Sequence, residues 1–358
     1  MSTTDWQQPA GGLPQGGGGP PRASGWPTWV KLAVVLTFLA ALGWVLLISA
    51  QYCSTGRPVT DLPAVPQPLA EVFKKQGAEY VASVYGVQRP LGVAVGNDGR
   101  IYVTESGGES KIHVFNSAGQ EISSFAPTDS DIPSHVPVYV AISPGGQVYV
   151  SDRDAATIYI FSADGSFQGR VDSPLPEGEA WHPLGLAFDA EGNLYVTEVT
   201  PDEHRVLVLD PEGKLKLAFG KQGSAEGEFW FPNGVAVDTE GRIYVSDSNN
   251  GRVQLFDKDG NFIDQIGRGM GKGDLSMPRG IAIDKAGRLL VVDTSGQDVK
   301  VYNTSEKPPN KPIRFLYAFR AAATAESSFN FPNGLALDSD GKAYVTDREN
   351  NRVTIWRY

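Results

Sequence analysis

The sequence predicts an all-β fold, a six-bladed β-propeller with four-stranded blades, and three observations predict it. A Pro followed by a small apolar run recurs six times, at Pro90, Pro137, Pro183, Pro232, Pro278 and Pro332, at intervals of 46 to 54 residues. Each copy continues through a Gly-containing turn into a β-branched and aromatic run ending in a carboxylate: Glu105, Asp152, Glu198, Asp247, Asp293 and Asp347. Two further alternating runs follow, such as 252–256 and 262–266, with a turn at Asp259-Gly260 between them. Short strands joined by tight turns, four to a repeat of this length, are the pattern of a propeller blade.

Closure of the ring is predicted from the two ends of the repeat region. The sixth copy has a third strand at 352–356 and no fourth, which would leave an exposed edge. The run 80–86 has the form of a fourth strand but precedes the first Pro and has no blade of its own. It is therefore expected to complete blade six.

Four segments follow in chain order. Residues 1–28 are dominated by Gly, Pro, Gln and Ser, a composition that buries too little apolar area to offset the entropy of ordering, so a disordered tail is expected. Within 29–50, the stretch 32–50 carries no charge and is long enough to nearly span a hydrocarbon core of about 30 Å. Trp26, Trp29 and Lys31 on one side and Tyr52 and Arg57 on the other fit interfacial anchors, so a transmembrane helix is expected there. This apolar run exceeds the roughly 7–15 residues of a signal-peptide core, which favours a retained anchor over a cleaved leader. Residues 51–77, with Pro58, Pro63, Pro66 and Pro68, read as a semi-rigid linker, and 78–358 as the propeller.

Charge and composition narrow the function. The chain carries 31 Lys and Arg against 41 Asp and Glu, a net charge of −10, which opposes nucleic acid as the main partner. Its single Cys, Cys53, excludes an intrachain disulfide framework. Arg22 and Lys31 precede or open the apolar run while Arg57 is the only nearby base beyond it, a bias from which the propeller is expected outside the cytoplasm at the cell membrane.

The motifs Pro-x-Gly-[Val/Ile]-Ala, Asp-x-x-Gly-x-x-Tyr-Val-[Ser/Thr]-Asp and Asn-x-Arg-Val resemble the NHL-repeat pattern, best at 232–256 and 332–356. Lys111 and Thr157 depart from it, standing where the motif has Arg. The resemblance implies a propeller over about 78–358, similar to the membrane-anchored sensor ectodomains of some bacterial receptor kinases.

Candidate functional residues fall into three groups. The six strand-ending carboxylates recur because the geometry recurs, and are read as acceptors for the backbone N–H groups of the following turn. The residue after each repeat Pro varies around the ring: Leu91, Val138, Leu184, Asn233, Arg279 and Asn333. Because an inner strand lines the channel, Asn233, Arg279 and Asn333 are the predicted channel ligands for a small anionic or polar molecule. Asn233 and Asn333 also resemble a metal-ligating Asn of regucalcin-type lactonases, but Leu91 stands where that family has an acidic ligand. The long loops carry Trp181, Phe229, Trp230, Phe231, Phe329 and Phe331 beside several Glu, and Trp181, Phe229 and Trp230 are the predicted partner-binding surface. Phe231 and Phe329 are instead expected to pack beneath their loops. His113, His135, His182 and His204 share no register, unlike the zinc-binding His of amidating lyases on this fold, so neither a metal nor another cofactor is expected.

These readings converge on a membrane-anchored binding or scaffolding module for a protein, peptide or small polar ligand. The alternative is a channel hydrolase or lyase, lactonase-like or amidating-lyase-like.

Overall fold

The computed structural model describes residues 77–127, 132, 134–269, 271–305, 313–320 and 328–358. They belong to one compact unit, Gln76–Tyr358. The segments 1–28 and 29–50, with the expected membrane span, lie outside the described residues, as does the linker apart from its last residue, Gly77. Among the described residues no helix is long and apolar enough to cross a membrane.

Six four-stranded antiparallel sheets form the unit. Each of the first five is built from consecutive strands, beginning with the inner strands Pro90–Val95, Pro137–Ile142, Pro183–Phe188, Pro232–Val237 and Pro278–Ile283. The sixth consists of Pro332–Leu337, Lys342–Asp347, Arg352–Arg357 and, as its outer strand, Glu79–Tyr85 from the other end of the repeat region. Glu79 faces Arg357 and Tyr85 faces Arg352, with a bulge between Tyr80 and Ala82. Consecutive inner strands pack side by side around the axis, and the strand at Pro332 returns to the one at Pro90. The predicted closure is the observed one.

Two sequence marks of the repeat meet across its first hairpin. Pro90 pairs with Glu105, Pro137 with Asp152, Pro183 with Glu198, Pro232 with Asp247, Pro278 with Asp293 and Pro332 with Asp347. At that end of the strand Pro needs no N–H partner, so its missing donor is tolerated.

The Gly after Pro-x has a spatial cause. A Cβ on Gly92 would lie 2.5 Å from the Val138 carbonyl, and one on Gly234 or Gly280 would lie 2.5 Å from the Arg279 or Asn333 carbonyl of the next blade. The Ser or Thr preceding each carboxylate stitches the same junction in several blades. Thr104 Oγ1 accepts from Gly92 N–H at 2.7 Å and donates to the Val138 carbonyl at 2.7 Å. Ser151 and Thr346 repeat the arrangement toward Leu184 and Leu91. Gly92→Ala is expected to force the first two inner strands apart and cost about 1–3 kcal/mol, as overpacking does. Urea unfolding of the full chain checks this, with an unchanged midpoint as the contrary result.

The core consists of apolar layers between neighbouring blades. Ile101, Phe115, Tyr344 and Val353 join blades six and one, and Tyr195, Phe229, Val245 and Phe256 join blades three and four. Each fully buried large side chain contributes about 1.5–3 kcal/mol, so the ring is held by many equivalent sheet-to-sheet contacts.

Candidate functional site

One face of the disc carries the loops that enter each inner strand, and the buried carboxylates anchor those loops. Asp247 accepts the Trp230 N–H at 2.7 Å, Asp347 the Asn330 N–H at 2.6 Å, and Glu105 the Gln88 N–H at 2.8 Å. Asp152, Glu198 and Asp293 do the same for Val136, His182 and Met277. The sequence reading assigned these carboxylates to the turn that follows them. That holds for Glu105 with Glu109, Asp152 with Asp154 and Ala155, Glu198 with Thr200 and Asp293 with Gly296, while the incoming loop, 16 or 17 residues earlier, is the feature common to all six.

The Asn-x-Arg motif completes this clasp. Arg252 Nε lies 2.7 Å from Asp247 Oδ2, with both side chains fully buried, and its Nη2 donates to the Ala225 and Glu228 carbonyls of the incoming loop. Arg352 serves Asp347 and the Ser328 carbonyl in blade six. Where the motif departs, the partner comes from elsewhere: the Lys300 ammonium for Asp293 at 2.5 Å, and the His135 ring Nδ1 for Asp152 at 3.2 Å.

The four His have separate partners. His113 meets Glu121 at 2.8 Å, and His182 meets Thr200 at 3.1 Å. His204 accepts the Phe231 N–H at 3.1 Å, and burial lowers its pKa. Among the described residues no group of three or more His, Cys, Asp or Glu is placed to hold a metal ion.

The axis is occupied by a residue that the sequence reading passed over. Blade two has Tyr139 where most other blades have the close-approach Gly, and its hydroxyl crosses to donate to Asn233 Oδ1 at 2.6 Å. Leu91, Val138, Tyr139 and Leu184 form one buried apolar cluster. Burial pushes the Tyr139 phenol up to about 12, opposed by the Arg279 charge and by Asn333. The signal was present in Pro137-Val138-Tyr139, the one copy with a large ring at that position.

The structure brings Arg279 and Asn333 together and links Asn233 to the same core through Tyr139. Arg279 Nη1 donates to Asn333 Oδ1 at 2.7 Å, and Asn333 Nδ2 donates to the Leu91 carbonyl at 2.9 Å. Asn333 is buried with both of its amide groups bonded, Asn233 is buried with its Oδ1 taken by Tyr139, and Arg279 is only half-buried. Its guanidinium lies 5.2 Å from the Phe331 ring centroid, and that of Arg348 lies 5.5 Å from the same ring. Desolvation lowers the Arg348 pKa, and the positive charges of Arg89, Arg279 and Arg153 lower it further against the opposing Glu349.

The aromatic surface differs from the predicted one. Trp181 packs in the layer between blades two and three, and Phe229 is fully buried between blades three and four, so neither ring is available to a partner. Each loop must seal the edge of the apolar layer beneath it, and these rings do so. Phe329 is buried, as expected, but Phe231 is exposed together with Trp230, which is 52% exposed. The Trp230 backbone is fixed at both ends, by Asp247 and by Asn249 N–H, so its ring is presented from a rigid loop.

The fold and the site define a six-bladed propeller with NHL repeats. The NHL repeat family matches residues 229–256 and 329–356, the two blades with the complete Arg clasp. No curated protein matches the chain. Among solved structures, a gluconolactonase from Xanthomonas campestris is 17% identical with a TM-score of 0.59, over 82% of this chain and 93% of that one. Virginiamycin B lyase from Staphylococcus aureus is 14% identical with a TM-score of 0.54, covering 79% of this chain and 99% of its own. A streptogramin B lyase is 15% identical with a TM-score of 0.52, over 78% and 97%. At these identities the likeness is one of fold.

Proposed function

We propose that the chain is a recognition module, tethered at the cell membrane by the apolar run 32–50, with its propeller outside the cytoplasm. Its loop face takes a protein, peptide or small polar ligand. The observation that carries this reading is the filled axis: Tyr139 packs with Leu91, Val138 and Leu184 in one buried apolar cluster and bonds across to Asn233. What remains open on the loop face is a rigid aromatic pair, Trp230 and Phe231, suited to contact at low entropy cost.

The test is mild crosslinking of the anchored full chain in intact cells. A defined partner should be captured by the wild type and lost, by roughly ten-fold or more, in Trp230→Ala, as for an interfacial Trp worth about 2 kcal/mol. Protease added to intact cells should digest the propeller. Turnover of a lactone by the full chain, abolished by Asn233→Ala, would assign the channel to hydrolysis instead and sink the module reading.

A further inference from the structure

Arginines from four blades gather around Arg348: Arg279 shares the Phe331 ring with it, Arg89 shares the Glu349 carboxylate, and Arg153 is close enough for its charge to be felt there. Their charge is poorly balanced. Arg89 and Arg348 share the Glu349 carboxylate, at 3.0 and 3.1 Å, and Arg153 meets Asp154 at 3.2 Å. Among the described residues Arg279 has an amide and a thioether as partners and no carboxylate. Four cations against two carboxylates leave two positive charges at one spot on a chain whose net charge is −10.

Two further observations point to a ligand. Buried Nε atoms of both Arg279 and Arg348 have no hydrogen-bond partner, an arrangement that ordinarily costs about 1–3 kcal/mol for each group. The backbone beneath them is strained. Arg89, Phe231 and Phe331, each directly before a repeat Pro, have φ of 50°, 64° and 59°, a rare region for a bulky residue, and two of these three lie among the arginines. Phe331 carries both Arg279 and Arg348 against its ring, so the strained residue sets the spacing of the two planar forks.

We infer that this cluster binds a small soluble oxyanion carrying two negative charges, as on a phosphate group, held by Arg279 and Arg348 with Arg89 at the rim. The guanidinium fork matches such oxygens in pairs. A free anion is favoured over a lipid headgroup because the acidic body is repelled by an anionic membrane surface. The inference rests on the recognition reading above and names the chemistry of its ligand.

Calorimetric titration of the full-length chain with inorganic phosphate at low salt tests it. Saturable binding is expected, weakened at least ten-fold by Arg279→Gln and by Arg348→Gln, weakened by added salt, and unchanged by Lys258→Ala, an exposed charge paired with Asp259. Arg348→Lys, which keeps the charge and loses the fork, should fall between. If Arg279→Gln melts early, Arg348→Gln decides. Absence of saturable binding, an affinity unchanged from the wild type in both Gln variants, or binding to phosphatidylglycerol vesicles without binding to phosphate each overturns the assignment. If phosphate fails while the Trp230-dependent capture persists, only the anion assignment falls. Loss of that capture reading, with lactone turnover in its place, removes the module proposal itself.

Discussion

Deletion of residues 79–85 is expected to abolish cooperative unfolding of the ring and drive the protein to aggregate. This strand supplies the whole outer edge of blade six, pairing from Glu79 with Arg357 to Tyr85 with Arg352. It also brings Val84, 2% exposed, into the layer with Val353 and Tyr344, and sets Tyr80 edge-on to Trp356 at 5.5 Å. Losing Val84 burial forfeits about 1.5–3 kcal/mol, and losing the aromatic pair forfeits about 0.5–1.5 kcal/mol more. The larger effect is topological: among the described residues this is the one strand that hydrogen-bonds the two ends of the repeat region together, and an unpaired Arg352–Arg357 edge is a template for another chain. Thermal melting with gel filtration checks this. Val84→Asp offers a milder version in the intact chain, by burying a charge at the same seam. A deletion variant that stays monomeric with an unshifted melting midpoint would contradict the closure.

Arg252→Ala is expected to cost about 3–5 kcal/mol, the loss seen when one partner of a buried ion pair is removed and the other stays. Asp247 and Arg252 are both fully buried, and Arg252 also ties the 225 and 228 carbonyls of the incoming loop. The loss should depend on pH in a defined direction. Burial raises the Asp247 pKa, and the Trp230 N–H, Arg252 and Asn250 hold it down. Because its folded pKa lies above the unfolded one, the folded state binds the extra proton between those two values. Stability from this group therefore falls as pH rises through that window. Removing Arg252 takes away two of the lowering influences, so the window extends upward and its penalty is greatest above it. The difference between variant and wild type should thus be smaller at about pH 4 than at about pH 7. Urea midpoints at the two pH values measure it, and a penalty that grows on acidification would refute the account. Trp230 contacts should loosen together with the clasp, because Asp247 holds that residue's N–H.

Much of the ring was legible because its physical causes are local and repeated. Pro at the start of an inner strand and a carboxylate opposite it mark each hairpin, and six copies announce six blades without knowledge of any contact between them. The unmatched strand at 80–86 was legible for the same reason, since a fourth strand without a blade needs one. The site was less legible. Asn233, Arg279 and Asn333 could be read as variable positions on a fixed frame, but not that two of them would be bonded inside the protein. Trp181 and Phe229 looked like surface aromatics because loops are usually exposed, yet whether a loop ring faces water or seals a layer depends on the neighbouring blade. Phe231 was assigned inward for want of the same information.

What the amino-acid order determined by itself is the blade, its count and its closure. Strand alternation, turn residues and the Gly that admits a neighbouring carbonyl are each written within about 50 residues. Only the tertiary structure decided what stands at the centre. Tyr139 and Asn233 are 94 positions apart, Asn333 and Leu91 are 242 apart, and arginines from four blades gather around Arg348. Contacts across a ring arise from its curvature, which no single repeat encodes, so the plugged axis and its cationic rim exist only once all six blades are assembled.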